Sequence, residues 1–541
     1  MFRKTVLISL LICIPMAFLF AGGGSQSRSP VQTSGPVKLS VAIMEDIRIA
    51  DYKTNYMTRV LERDADVNLE FVLYPSVDYI SKLNLMVMAG GSELQDVIIA
   101  SPGDAMVYQW GLEKAIIPLT KYYKDPNLSP NIHEAIKRTG VDFPPMVTSP
   151  DGEIYGVPEF NMSSGNEYAF KMWYYDPWLK QLGLKIPETT EEFREVLRTV
   201  VTRDPNGNGR ADEIGISGLP PLGDWFGFLM NAFVYAGDTN QLVVENGKLG
   251  AAYTTPQWRE GLKYIRSLFQ EGLIPMENLT QDRTQVNTIL NSSDVRAFSF
   301  IYASVSQINT DNPAGDEYIC APPLRGPAGV QYATYTPSVP NISYMVSSRC
   351  MNPDAAFRLG DVMASREIGI IQRWGEEGVN WDYPENVKNI QDYMPAQTDG
   401  PITMVPYNDA SFWGGSAVGN GSWRQKGPLI REYNISDSRG TLRGAPVIRT
   451  RHNNEAIILY QSSNWAPKEV IPKLIYTVEE NNTIQDIRIS LNNYVMEMTS
   501  AFLAGNRDID ASWEAYLAEL NSIGLARFIS VNQTVYDRMY K

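Results

Sequence analysis

Two apolar runs rich in β-formers, Val37 to Met44 and Val67 to Tyr74, flank a mixed segment that ends at Asp66, a spacing that reads as β-α-β. Ile80 to Met88 then carries apolar residues at helical spacing, and Val97 to Ala100 is a short apolar run of the kind expected of a buried parallel strand. The chain therefore opens as an α/β fold. Its 541 residues exceed what one hydrophobic core usually serves, so two lobes are expected. With 44% hydrophobic and 20% charged residues it has the composition of a soluble globular protein, neither disordered nor membrane-embedded.

Arg3 and Lys4 precede an apolar run from Val6 to Phe20 that is short for a transmembrane helix, so residues 1–21 read as a secretory signal peptide cut near Ala21. Residues 22–36, rich in Gly, Ser and Pro, read as a flexible tether, with folded structure expected from Val37. No cysteine follows Ala21, and Cys13 sits inside the apolar run, so a soluble periplasmic or extracytoplasmic protein is expected and a lipid anchor is not. Loss of residues 1–21, whose only charges are Arg3 and Lys4, takes the net charge from −14 to −16, the wrong sign for a nucleic-acid partner. The mature chain keeps Cys320 and Cys350, which are expected to remain unpaired and buried.

The clearest helix starts near Thr189. There Thr189 and Glu192 form a capping box, and Phe193, Val196, Leu197, Val200 and Val201 make one apolar stripe that ends before Pro205. Two further stripes, Ile487 to Phe502 and Trp513 to Leu520, make the tail helical, the second stopping at Gly524.

Between the capped helix and the next apolar run lies Asp204-Pro-Asn206-Gly-Asn208-Gly209-Arg210-Ala-Asp212-Glu213. It places oxygen-bearing side chains at the first, third, fifth, ninth and tenth positions of a calcium loop. Gly209 permits the bend and the Arg210 carbonyl can serve at the seventh position, but the twelfth is Gly215 where an EF-hand carries Glu. Asp212 and Glu213 would have to close the shell, and a structural calcium ion is expected; a metal-free Asn/Gly turn is the alternative.

Trp225, Trp374, Trp381, Trp413 and Trp423 sit in or beside segments rich in Gly, Pro, Ser or Asn. Because a sugar's apolar face stacks on an aromatic ring, Trp225, Trp413 and Trp374 are expected to form a ligand platform, with Trp381 in reserve, although core burial is the commoner fate of any one Trp. The only histidines, His133 and His452, lie in no metal or nucleophile motif, so catalytic residues are not expected. A glycosidase using a carboxylate pair is the alternative function, since such a pair is defined by separation in space.

An ordered set of segments is similar to the family-1 extracellular solute-binding proteins of ABC importers, especially the calcium-loop branch that includes alginate-binding periplasmic proteins. It comprises Lys82 to Asp96, Asp151-Gly-Glu-Ile-Tyr-Gly-Val-Pro158, Trp173 to Pro187, the calcium loop, Asn352-Pro-Asp-Ala-Ala356, Trp374-Gly-Glu-Glu-Gly-Val-Asn-Trp381, Trp513-Glu-Ala-Tyr516 and Gln533 to Arg538. Gln95, where the family commonly shows proline, and the absent lipobox cysteine depart from the pattern. The resemblance implies a two-lobe, type II-like periplasmic-binding-protein fold, with a ligand cleft between lobes joined by crossing hinge segments. It places the first lobe at residues 37–162 plus 316–372 and the second at 163–315 plus 373–541. It assigns Asp204, Asn206, Asn208, Arg210 (by its carbonyl), Asp212 and Glu213 to calcium. It also implies a monomer that captures a small solute, expected to be an oligosaccharide, and delivers it to an importer permease.

Overall fold

The computed structural model describes residues 35–162, 164–222, 224–237, 240–309, 311–388, 402–406, 420–432, 435–437 and 447–541. The expected signal peptide and almost all of the tether lie outside them, and Val37–Lys541 forms a compact unit. Among the described residues no helix is long and apolar enough to cross a membrane.

The β-α-β opening is as the spacing predicts. Strands Val37–Met44 and Val67–Tyr74 pair in parallel with Val37 opposite Val67, and Val97–Ile99 pairs in parallel on the other side of the first strand. The connecting helix Tyr56–Ala65 begins where the Asn55 side chain accepts the Met57 amide, and it ends at Asp66 in a left-handed conformation. Its Met57, Val60, Leu61 and Ala65 face the sheet and are buried. Three later strands complete a six-stranded sheet, in the order 430–431, 157–161, 341–346, 97–99, 37–44, 67–74. One core covers it, built from these strands and from helices Asp104–Leu112, Pro353–Met363 and Arg366–Trp374.

A second sheet has four strands in the order Tyr318–Ala321, Lys171–Tyr175, Ala297–Tyr302, Ile214–Ser217, the last two parallel and the others antiparallel. Its core takes in helix Thr190–Thr202, whose capping box forms as expected, and the long helix Pro256–Gln270. Three C-terminal helices, Val478–Ala504, Ile509–Ile523 and Leu525–Tyr540, pack on this second core, the middle one stopping at Gly524 with φ 119°. The chain thus builds the first sheet, then the second, returns to the first, and finishes on the second.

Two strands join sheets other than those the sequence assigned. Tyr318–Ala321, placed by sequence in the first lobe, pairs with Lys171–Tyr175 of the second sheet, and Ile430–Arg431, placed in the second lobe, pairs with Phe160 and Asn161 of the first. Both strands are too short for their own pattern to reveal a partner, since pairing is settled by which sheet edge is open nearby. Cys320 and Cys350 are both free, and each is partly buried.

Candidate functional site

In α/β sheets ligands bind beyond the carboxyl ends of the parallel strands. Those ends lie on one edge of each sheet here, and the two edges are joined directly. Asn161 closes the last long strand of the first sheet at that edge, while Lys171, across a short crossing, pairs with Tyr302 at the carboxyl end of its strand in the second sheet. A second crossing runs back from Ala321 to Asn341.

On the first sheet's edge the chain leaves Met44 and places Asp46, whose buried carboxylate is gripped by Arg48. Nε donates at 2.8 Å, Nη2 at 2.6 Å and the backbone amide at 3.0 Å. Lys426 Nζ stands 3.4 Å away on the other side. The hydrogen bonds from Arg48 hold the Asp46 carboxyl far below the usual carboxylate range, against the opposing effect of burial. Glu159, on the 157–161 strand of the same sheet, is pushed upward by burial, which Lys426 offsets only in part. Lys426 reaches this place because Trp423 anchors its loop: the indole is fully buried and donates to Thr58 Oγ1 at 2.9 Å. Between them, Arg424 and Gln425 both adopt positive φ, 51° and 61°. Consecutive non-glycine residues in the left-handed region are strained, and such strain concentrates at functional sites.

The second sheet's edge carries Asp224, which opens helix Asp224–Met230 and accepts the Trp225 amide at 2.9 Å. Burial raises its pKa, opposed by that amide and by Arg283, whose Nη2 lies 3.8 Å away. The Arg283 guanidinium sits 5.3 Å from the centre of the Tyr302 ring, a cation–π pair at the strand's end. Lys171 is buried, donates to the Tyr168 carbonyl and lies 5.7 Å from the Tyr460 ring. Burial pushes its pKa down to about 8.

No family model matches the chain. It is 26% identical to the fructooligosaccharide ABC transporter substrate-binding protein FusA of Streptococcus pneumoniae, across 98% of this chain and 97% of that protein. Among solved structures, an extracellular solute-binding protein from Bifidobacterium longum subsp. infantis superposes with TM-score 0.74 at 22% identity, covering 94% of this chain and 99% of that one. An EF-hand mutant of FusA in complex with fructo-nystose superposes with TM-score 0.66 at 22% identity, covering 93% and 99%. The chain is similar along nearly its whole length to an ABC-transporter substrate-binding protein. Its fold is the two-domain α/β fold of solute-binding proteins, as the sequence resemblance implied.

The loop expected to bind calcium joins helix Thr190–Thr202 to strand Ile214–Ser217. It closes on itself: Asp204 accepts the amides of Asn208 and Gly209 at 3.2 and 2.9 Å, Asn206 that of Asn208 at 3.0 Å, and Asn208 that of Arg210 at 2.8 Å. Asp212 Oδ1 receives the side-chain amides of both Asn206 and Asn208, at 3.2 and 3.1 Å. Both carboxylate oxygens of Glu213 are buried with no hydrogen-bond partner, and burial, with Asp204 and Asp212 nearby, raises the pKa of that carboxyl. Among the described residues no cluster of three or more His, Cys, Asp or Glu side chains gathers as a metal site. The loop supplies a different donor set, in which Asn oxygens and a backbone carbonyl alternate with the carboxylates. The buried, unpartnered Glu213 carboxylate fits a hard cation.

The tryptophans fall differently from the expected platform. Trp225 is 0% exposed, and its indole donates to the Leu219 carbonyl while its ring meets Phe226 and Phe269, so it is a core residue. Trp374 and Trp381, 6% and 3% exposed, share a small core with Ile370, and the Trp381 indole donates to the Gly375 carbonyl at 2.9 Å. The physical reason is the same for all three: burying the large apolar area of an indole ring stabilises the fold, whatever polar residues lie near it in sequence. Trp413 lies outside the described residues. Sequence reasoning missed Asp46, Arg48, Glu159, Arg424, Lys426, Asp224, Arg283 and Tyr302. Charged residues just past the end of the first parallel strand were a usable signal for Asp46 and Arg48; the others come from segments far apart in the chain.

Proposed function

We propose that this protein captures an oligosaccharide between two lobes, one on each sheet, and delivers it to the membrane permease of an ABC importer. What carries the reading is the pair of strand edges joined by two crossings of the chain, each lined with charged and planar polar side chains, in a chain similar along nearly its whole length to FusA, which is named for fructooligosaccharides. Sugar hydroxyls take such planar partners, and closure of the two lobes about the crossings removes the ligand from water. The amino-terminal sequence supports export to an extracytoplasmic, periplasmic location, and the protein acts as a monomer. Calcium in the 204–213 loop braces the second lobe. The loop's place between a capped helix and a central strand, and the buried Glu213 carboxylate, support that role.

No covalent chemistry is required of the chain. A thermal-shift screen of the mature protein against neutral and acidic oligosaccharides and against peptides should give its largest stabilisation with a saccharide; at one hundred times the dissociation constant the gain is about 2.7 kcal/mol. A peptide that outranks every saccharide would overturn the ligand class. After long incubation, chromatography should return the best-binding sugar intact. Cleavage products formed at enzymatic turnover would replace the binding reading with a glycosidase.

A further inference from the structure

Trp465 stands apart from the other tryptophans. Among the described residues it is the only one not buried: every other is at most 6% exposed, whereas Trp465 keeps part of its surface open. The buried indoles of Trp173, Trp225, Trp381 and Trp423 donate to backbone or hydroxyl oxygens, but among the described residues the Trp465 N–H has no such acceptor. Together with Tyr332, also only partly buried, Trp465 lines a cavity of about 460 Å³ on the second crossing, beside Gln331 and Asn464.

Both rings are fixed from behind. The Trp465 carbonyl accepts the Ala333 amide at 2.9 Å, and its ring meets that of Tyr460 edge-on at 5.2 Å. Tyr460 is itself fully buried and donates to the Ala321 carbonyl at 2.9 Å, which ties Trp465 to the end of a strand in the second sheet. The Tyr332 amide donates to the Asn231 carbonyl at 3.2 Å, and its ring meets that of Tyr235 edge-on at 5.8 Å. Gln331 donates to the Pro323 carbonyl at 2.7 Å, which orients its side chain and leaves the amide oxygen to accept. Asn464 is exposed.

A rigid, partly exposed indole offers apolar area that the C–H face of a sugar can cover, and the neighbouring planar amides suit hydroxyls. The lining residues come from the second crossing and from the segment just after helix Val447–Gln461; none comes from the first sheet or the helices on it. The surface is therefore complete without any group that lobe closure would bring.

We propose that Trp465 and Tyr332 form an aromatic subsite on the second crossing that receives one sugar ring while the lobes are open, with Gln331 and Asn464 taking its hydroxyls, and that the first lobe then closes on a saccharide already seated there. This rests on the oligosaccharide reading above and adds to it where the ligand lands first.

The test is titration calorimetry of the mature protein with a panel of neutral and acidic trisaccharides, the tightest binder to wild type then serving as the probe for variants. Trp465→Leu should weaken that sugar about tenfold or more, and Trp465→Phe should keep most of the affinity, because stacking needs an aromatic ring whereas packing on Tyr460 needs only apolar bulk. Asn464→Ala, at an exposed position, should weaken binding several-fold and leave melting unchanged. In stopped-flow tryptophan emission, a phase whose rate rises with sugar concentration should precede one whose rate does not, and Trp465→Phe should lose the amplitude of the first. If Trp465→Leu and Asn464→Ala bind as wild type does, or if Phe serves no better than Leu, the subsite is wrong while the oligosaccharide reading stands. A first phase that keeps its amplitude in Trp465→Phe would remove the seating step. If no saccharide binds the folded wild type, both readings fall together.

Discussion

Trp225→Ala should lower folding stability by about 3 to 5 kcal/mol, the cost of emptying the space of a large buried ring. The residue is fully buried in the second core, edge-on to Phe226 and Phe269 at centroid distances of 6.1 and 5.8 Å. Its loss also leaves the Leu219 carbonyl without the indole donor. Gly218 lies so close to this ring that a Cβ there would clash with it. Denaturant unfolding of wild type and variant measures the effect. A loss below about 1 kcal/mol accompanied by weakened saccharide binding would return Trp225 to the ligand surface, as the sequence first suggested.

Chelation of the calcium-loaded protein should lower the melting temperature of the second lobe by several degrees, the counterpart of about 2.7 kcal/mol when calcium stands at one hundred times its dissociation constant. Asp204→Ala should melt alike with calcium or chelator, since it loses the first-position oxygen and the acceptor for the Asn208 and Gly209 amides. The pH dependence has a definite sign. The folded-state pKa of Glu213 is raised above its ordinary value of 4.5, chiefly by burial. Without metal, this group's contribution to stability is fully present below that ordinary value and is lost as pH rises through the folded value. Calcium needs the ionised carboxylate, so the melting gap between calcium and chelator should be small in acid and widen as pH rises. Magnesium, which demands a compact octahedron and keeps its waters, should close little of the gap. Calorimetric melting at several pH values decides it: identical melting of wild type with calcium and with chelator at neutral pH would remove the ion from this loop.

The parts legible in the sequence were those whose cause is local. The capping box at Thr189 and Glu192 forms as read, because the reciprocal bonds involve residues three apart. The strands Val37–Met44 and Val67–Tyr74, and the stop at Gly524, were equally visible, since apolar periodicity and a left-handed cap are properties of short windows. The oxygen-rich loop stood out for the same reason. The site on the strand edges did not, because Asp46 and Lys426, 3.4 Å apart, are far apart in the chain.

By itself, the sequence determined that this chain builds α/β lobes, where its first strands and last helices fall, and which solute-binding family it resembles, all of which follow from hydrophobic periodicity, capping chemistry and ordered motifs. Only the tertiary structure decided that Tyr318–Ala321 and Ile430–Arg431 exchange sheets, that Trp225, Trp374 and Trp381 fill cores, and that Arg48, Arg424 and Lys426 converge on Asp46. The reason is that a single aromatic ring or a lone cation carries no local signal of its direction; its position is fixed by which apolar surface is still uncovered and which charge is still unpaired once distant segments have met.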